Sequence, residues 1–282
     1  MLSIIYQGNN RIIDLINTPN LIITGYEGLD QPISETITLS NPNLRGTQYQ
    51  RSQIADRSIS FTFNVFDVEN TRYRLMNVFK SGEKGLLTLR NGYREGQIEC
   101  YFEEMIFNKF ENPTTCTIFL RSPYPYFKGM EDIILELDNA LNLFVLEAYI
   151  TEEEGVVLGE ITEEHSSTIS NESDIELGLT IEITAIENQV VNPIVYNETT
   201  NKYIGVNYTL AVGDKITITT SLGNKKILVD SNGQKINIIN RLTRGSSFFQ
   251  LQRGSNSLRC EAESGGGTMI VFVKYRDEYE AI

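Results

Sequence analysis

Tryptophan is absent from this sequence, histidine occurs once and cysteine three times. Each shortage removes a class of chemistry. Cys100, Cys116 and Cys260 are odd in number, widely spaced and free of any CxxC pair. That excludes a disulfide framework or a zinc knuckle and leaves buried structural thiols. The single histidine, His165, lies in the polar run Glu163-Glu164-His165-Ser166 with no apolar wall beside it. A hydrolytic triad needs a base held against its nucleophile by packing, so no catalytic residue is assigned and His165 is expected to be an exposed bystander. Carboxylates are paired at Glu103-Glu104, Glu131-Asp132, Glu152-Glu153-Glu154 and Glu163-Glu164. A glycosidase also needs one acid buried and an aromatic platform; with no Trp and 14 Tyr, sugar binding survives better than sugar hydrolysis.

Other absences narrow the field further. No Asp-x-Asp-x-Asp-Gly loop accompanies the acidic stretches, so calcium has no dedicated site. Ser264-Gly265-Gly266-Gly267-Thr268 is glycine-rich but precedes a strand-like run instead of a helix, and reads as a flexible hairpin tip without phosphate chemistry. No metal or cofactor is expected. Met1 to Tyr6 has neither a basic start nor a long apolar core, which argues for synthesis and folding in a cytoplasm without membrane insertion.

Basic charge is missing from one long segment. Between Lys128 and Lys202 no Lys or Arg occurs, while 17 acidic residues do. Residues 1–128 hold 13 basic and 13 acidic side chains, so 129–282, with 11 against 24, carry the entire net charge of −13. Such a segment repels a phosphate backbone, so sequence-specific nucleic-acid binding is not expected there; a solvated face, or a basic partner, is.

What is present is β-pattern. Lys215 to Thr220 alternates apolar and polar residues, as do Ile227/Val229 and Ile236/Ile238 around the turn Ser231-Asn232-Gly233. Phe248, Phe249 and Leu251 add bulk, and Ser257 to Glu261 and Thr268 to Lys274 close a series that predicts a sandwich. In the first half, Arg57 to Val68 is the cleanest strand, with Ile59, Phe61, Phe63 and Val65 on one face. Asp67 to Lys80 is the one predicted helix, capped by Asn70 with Tyr73, Met76 or Leu75, and Phe79 at helical spacing and Gly82 as its stop. Leu86 to Arg90 and Tyr93 onward form a hairpin through Asn91-Gly92, and two strands flank Asn112-Pro113. Gly25 to Gln53 is polar and turn-rich and reads as an extended arm or long loop. Two prolines in Ser122-Pro123-Tyr124-Pro125-Tyr126-Phe127 end the unit. The expected division is 1–128, with arm 25–53, and 129–282: a mainly β chain whose first domain is a sandwich or split barrel with one helix. The acidic segment repeats Ile-Thr-Glu-Glu at Ile150 and Ile161, too short an echo for a solenoid.

Taken in order, Arg57 to Phe63 with the helix to Phe79, Arg121 to Phe127 with its Pro-Tyr-Pro-Tyr-Phe, Asn192-Pro193, Tyr208 to Thr220 through Gly213-Asp214, and Ser246 to Asn256 resemble the distal tail protein family of long-tailed bacteriophages. The resemblance spans nearly the whole chain; its order, more than any one motif, is specific. Where similar proteins often carry an Asn-x-Gly-Asp turn with a following Pro, this chain has Asn171-Glu172-Ser173-Asp174-Ile175-Glu176. The resemblance implies a non-enzymatic structural protein of the virion tail tip or baseplate. It implies a homohexameric ring whose first domains form a hub between the tail tube protein and a tail-associated hub or fibre protein. The second domains are then galectin-like sandwiches that hold receptor-binding proteins. Ring contacts are expected from strand edges in Arg57 to Val68 or Gln97 to Phe110 and from the arm. The alternative is a carbohydrate-binding module, for which Tyr196, Tyr203 and Tyr208 are the candidate glycan or partner contacts; the plainer expectation is that they fill core and interface.

Overall fold

The computed structural model describes residues 2–8, 11–41, 45–141 and 160–282. The chain is mainly β and divides into two compact units, Met1–Met130 with Glu278–Ile282, and Glu131–Asp277. Residues 278–282 thus return to the unit in which the chain began. Ile150 to Glu153, the first copy of the four-residue echo, falls outside the described residues.

The first unit contains β1 (Ser3–Gln7), β2 (Ile12–Asp14), β3 (Leu21–Glu27), β4 (Ser34–Ser40), β5 (Thr47–Ile54), β6 (Arg57–Val65), α1 (Val68–Val78), β7 (Lys84–Arg90), β8 (Glu95–Asn108), β9 (Thr114–Ser122) and β10 (Phe127–Lys128). One antiparallel sheet runs β2-β1-β7-β8-β9-β6-β3. Strand β6 alternates as its sequence demands: Ile59, Phe61, Phe63 and Val65 are buried, with their cross-strand partners Leu120, Ile118 and Cys116 of β9 beside them on the same face. The β7–β8 hairpin closes at Asn91, whose side chain accepts from the N–H groups of Tyr93 and Arg94, as predicted.

Helix α1 exists where the pattern placed it, but only part of the expected face turns inward. Thr71, Leu75 and Val78 are buried, whereas Tyr73 and Met76 are exposed. Asp67, not Asn70, occupies the cap position, and the Asn70 amide donates to the Asp67 carboxylate. Phe79, just past the last turn, stacks on Tyr6 at 4.3 Å and tilts against Phe102 at 5.6 Å. Leu75 and Phe79 are buried as expected, but Tyr73 and Met76 misled because large side chains at helical spacing look like a core stripe, while Thr71 and Val78 complete the buried one beside Leu75.

The second unit contains β11 (Ile133–Glu136), β12 (Asp138–Leu141), β13 (Glu160–Asn171), β14 (Thr180–Ala185), β15 (Val190–Val191), β16 (Ile194–Asn197), β17 (Lys202–Gly205), β18 (Thr209–Leu210), β19 (Lys215–Thr219), β20 (Lys226–Ser231), β21 (Gln234–Asn237), β22 (Gly254–Glu261) and β23 (Met269–Tyr275). A six-stranded sheet β11-β23-β14-β19-β20-β21 and a five-stranded sheet β12-β13-β22-β16-β17 share one core. Ile181, Ile183, Ile216, Ile218 and Val271 come from the first, and Ile169, Val195, Ile204, Leu258 and Cys260 from the second, the two inner faces of a sandwich. Asn232 and Gly233 both take positive φ, 52° and 81°, the backbone a two-residue hairpin turn requires. Ser246 to Leu251 is not a strand, yet Phe249 and Leu251 are buried in the core.

The run at Gly265 is not a flexible tip. It forms a short 3-10 turn over Gly266–Thr268 that packs into the unit. Gly265 has φ +79°, and a Cβ there would lie 2.1 Å from the Gln189 carbonyl oxygen. Both the backbone region and the close approach demand glycine.

Candidate functional site

The arm predicted over Gly25 to Gln53 is not a loop. Leu21–Glu27 joins the main sheet as β3, and β4 and β5 pair with each other from Ser34↔Ile54 to Ser40↔Thr47 as a sheet of their own. Every residue of β5 and all but Ile37 of β4 are exposed. Ile33, Leu39 and Tyr49 are among the exposed apolar side chains there. A two-stranded ribbon with neither face covered is marginal in water by itself, and its sequence lacks a strong alternating pattern because no core selects one.

Of the two strand edges expected to make ring contacts, Arg57 to Val68 is not an edge, while part of Gln97 to Phe110 is. Strand β6 is hydrogen-bonded on both sides, to β3 and β9, whereas β8 pairs with β7 over Glu95 to Tyr101, meets β10 at Gln97, and pairs with β9 over Tyr101 to Asn108. Among the described residues, free edges lie at β3 and β2, at the two ends of the sheet order, and along β8 from Phe102 to Asn108, which runs beyond β7 and pairs with β9.

At the base of the ribbon stands a residue the sequence reading passed over. Arg57 occupies an inward position of β6 and is buried. Its Nε donates to the Pro125 carbonyl at 2.6 Å, Nη1 to those of Gly28 and Asp30 at 2.7 and 2.6 Å, and Nη2 to that of Glu280 at 2.6 Å. The guanidinium also lies 4.7 Å over the Phe127 ring. One side chain therefore fastens the β3–β4 connection, the proline-rich segment and residues 278–282 to the sheet. Burial lowers its pKa to about 10, against the pull of Glu280 and Asp30; it stays charged at neutral pH. The final strand, β24 (Glu278–Tyr279), pairs with β10, and the Tyr279 ring lies under Arg94. The clue in the sequence was parity: Arg57 shares a face with Ile59 and Phe61.

The structure separates the three candidate tyrosines. Tyr196 and Tyr203 pair across β16 and β17 with ring centroids 5.8 Å apart. Arg259 lies 4.3 Å over the Tyr196 ring and is ion-paired to Glu198 at 2.9 Å and to Glu261. Burial, then a hydrogen bond to Glu261, raises the Tyr196 pKa. The Tyr203 hydroxyl donates to the Arg244 carbonyl at 2.9 Å. Tyr208 packs against the core instead.

His165 is not an exposed bystander. It is buried, with Nδ1 3.1 Å from the Leu137 carbonyl oxygen and Nε2 2.9 Å from that of Gly266. Its parity in β13 matches the buried Ile169 and Asn171, so it serves to join β13 to two connections. No nucleophile touches either ring nitrogen among the described residues. Cys100, Cys116 and Cys260 are free and buried, and burial pushes the thiols of Cys100 and Cys116 up to about 12, which keeps them inert at neutral pH. In the divergent turn, Asn171 donates to the carbonyls of Ile175 and Leu251 and accepts from the Ser173 N–H.

Glu182 is the charged pivot of the six-stranded sheet's outer face, 3.3 Å from the Lys215 ammonium and 3.0 Å from that of Lys274. Burial alone raises its pKa, but hydrogen bonds from Lys274 and Lys215 outweigh that and leave it below the ordinary carboxylate value. A lowered folded-state pKa gives stability that is full above the unfolded value and lost as the pH falls through the folded one. Glu182→Gln is therefore expected to cost about 1 kcal/mol near pH 7, with the deficit closing as the pH falls below about 4. Urea midpoints of both proteins across that range check it.

Residues 172–279 match the model of the siphovirus-type tail component, C-terminal domain. None of the curated proteins matches the chain. Among solved structures it is similar to SPP1 Dit (gp 19.1), described as a paradigm of hub adsorption apparatus in Gram-positive infecting phages, with TM-score 0.67 and 12% identity over 99% of each chain. It is also similar to chains of the phage P2 baseplate in its activated conformation. With Ca the TM-score is 0.51 and the identity 9%; with Sr they are 0.52 and 10%, each over 100% of both chains. At those identities the solved structures speak for a shared fold, and the domain match speaks for descent. Residues 172–279 are thus similar to the C-terminal domain of the siphovirus-type tail component, and the chain as a whole shares its fold with SPP1 Dit and with chains of the phage P2 baseplate.

Proposed function

We propose that this protein assembles into a homohexameric ring at the tail tip, joining the tail tube protein to the tail-associated hub or fibre protein, with receptor-binding proteins held at its periphery. The observation that carries the reading is the uncovered ribbon β4–β5. A ribbon that buries nothing in its own subunit gains a covered face by lying on the next copy. The contact is head-to-tail, since the ribbon of one subunit meets a different surface of its neighbour, and a repeated contact of that kind closes a ring at the right rotation. The free edges at β2 and β3 supply a second complementary pair. The first unit builds the ring in this reading, and the galectin-like second unit, with 22 acidic against 11 basic residues over 131–277, carries the negative charge outward and favours basic partners. The role is structural and not enzymatic.

Hydrogen exchange over a concentration series tests the ribbon's part. Amides of Ser34 to Ile54 are expected to slow as assembly proceeds while those of β22 stay constant. Ribbon amides that exchange equally fast at every concentration contradict the contact.

The carbohydrate reading draws support from the side-by-side rings of Tyr196 and Tyr203. It is weaker because Arg259 occupies a face of Tyr196 and Tyr208 lies apart.

A further inference from the structure

The second unit is acidic, yet the outer face of its six-stranded sheet gathers four lysines. Strand alternation places Thr180 and Glu182 of β14, Lys215 and Thr217 of β19, Lys226, Leu228 and Asp230 of β20, Lys235 of β21 and Lys274 of β23 away from the core. The registers Lys215↔Asp230, Asp230↔Lys235 and Thr219↔Lys226 draw them into adjacent rows. Glu182 neutralises part of Lys215 and Lys274. Asp230 accepts the Gly233 N–H at 3.1 Å. Among the described residues, no carboxylate lies within ion-pair distance of Lys226 or Lys235. These two lysines stand at opposite ends of a cleft of about 300 Å³ whose lining also includes Thr180, Thr217, Asn224 and Leu228, together with Lys215 and the already engaged carboxylates of Glu182 and Asp230.

The lining discriminates between ligands. Protein interfaces concentrate aromatic residues and Arg at their centres and are poor in Lys; here no aromatic side chain or Arg lines the cleft, and Leu228 is its one large apolar residue. Single-stranded nucleic acid needs stacking platforms, which are also missing. Lysine acts as a compact point charge that meets a phosphate without demanding a planar, bidentate partner. Threonine hydroxyls and the Asn224 amide donate and accept, as sugar hydroxyls do. The volume lies at the small end of ligand sites, enough for a sugar-sized unit. We propose that this cleft binds a phosphate-bearing saccharide, with Lys226 and Lys235 at its two ends supplying the positive field for the phosphate and Thr180, Thr217 and Asn224 meeting the hydroxyls. The site is on the sheet opposite to the one that bears Tyr196 and Tyr203, and it does not depend on ring formation.

The test uses the full chain on immobilised phosphorylated dextran, with neutral dextran and polyglutamate as comparison surfaces. The parent protein is expected to be retained on phosphorylated dextran at low salt and to pass over the other two. The double variant Lys226→Gln/Lys235→Gln should lose about tenfold in affinity, and Thr217→Val a smaller but measurable factor. Lys80→Gln/Lys202→Gln, which removes the same charge elsewhere, should bind as the parent does. Unchanged thermal unfolding establishes that each variant is folded. No retention on phosphorylated dextran, an equal loss in the charge-matched control, or equal retention on polyglutamate overturns the proposal, the last by assigning the face to an acidic protein.

Discussion

Arg57→Ala is expected to destabilise the first unit by about 3–5 kcal/mol, the largest single-residue effect anticipated in this protein. Alanine leaves four carbonyl oxygens, that of Pro125 in a buried bond and those of Gly28, Asp30 and Glu280 in part-buried ones, without the donor that now serves all of them at 2.6–2.7 Å. The Pro125 acceptor, stranded away from water, costs more than the net gain of an ordinary hydrogen bond, and the three part-buried ones add the charge-assisted bonds they lose. Lysine does not rescue the site, because its single ammonium has three donors and no planar fork to span three chain segments. In calorimetry the transition of the first unit should fall by roughly 10 °C while that of the second holds. Hydrogen exchange should show amides of residues 278–282 opening first, since Glu280 loses its anchor. A first transition that does not move contradicts the assigned role of Arg57.

Replacing residues 34–54 by a short Gly-Ser turn is expected to abolish assembly and leave the subunit folded. Among the described residues the ribbon pairs only with itself, and its side chains are almost all exposed. Its removal takes little from the core of the first unit, and the unfolding temperature should stay within about 2 °C. The effect on association is all or none if the ribbon is the main contact between copies. Sedimentation velocity should show single subunits across the concentration range. Rings that persist without the ribbon would transfer the assembly contact to the free edges of β2 and β3.

Much of this architecture was legible because one face of each strand is buried. In β6, β14, β19 and β23 the alternation of apolar and polar residues is the imprint of a core on one side. The turn at Asn232-Gly233 was legible for a different reason, because few other residue pairs tolerate positive φ twice in succession. The ribbon hid because nothing in its own subunit imposes a pattern on it. His165 and Arg57 hid because their neighbours in sequence are polar; the partners that matter are backbone carbonyls of distant segments, Leu137 and Gly266 for one and Pro125 and Glu280 for the other. The lysine cleft needed registers between strands far apart in the chain, as where β14 joins β19 and β23. Tyr196, Tyr203 and Tyr208 looked equivalent as sequence, and only pairing showed that two of them meet.

The central claim is the ring, and mass in solution tests it most directly. Static light scattering over a concentration series, with negative-stain images of the same samples, is expected to approach six times 32.0 kDa, about 192 kDa, with an annular particle and a central opening. A mass that stays at a single 32.0 kDa chain at every concentration, with and without a tail tube fragment, would contradict it.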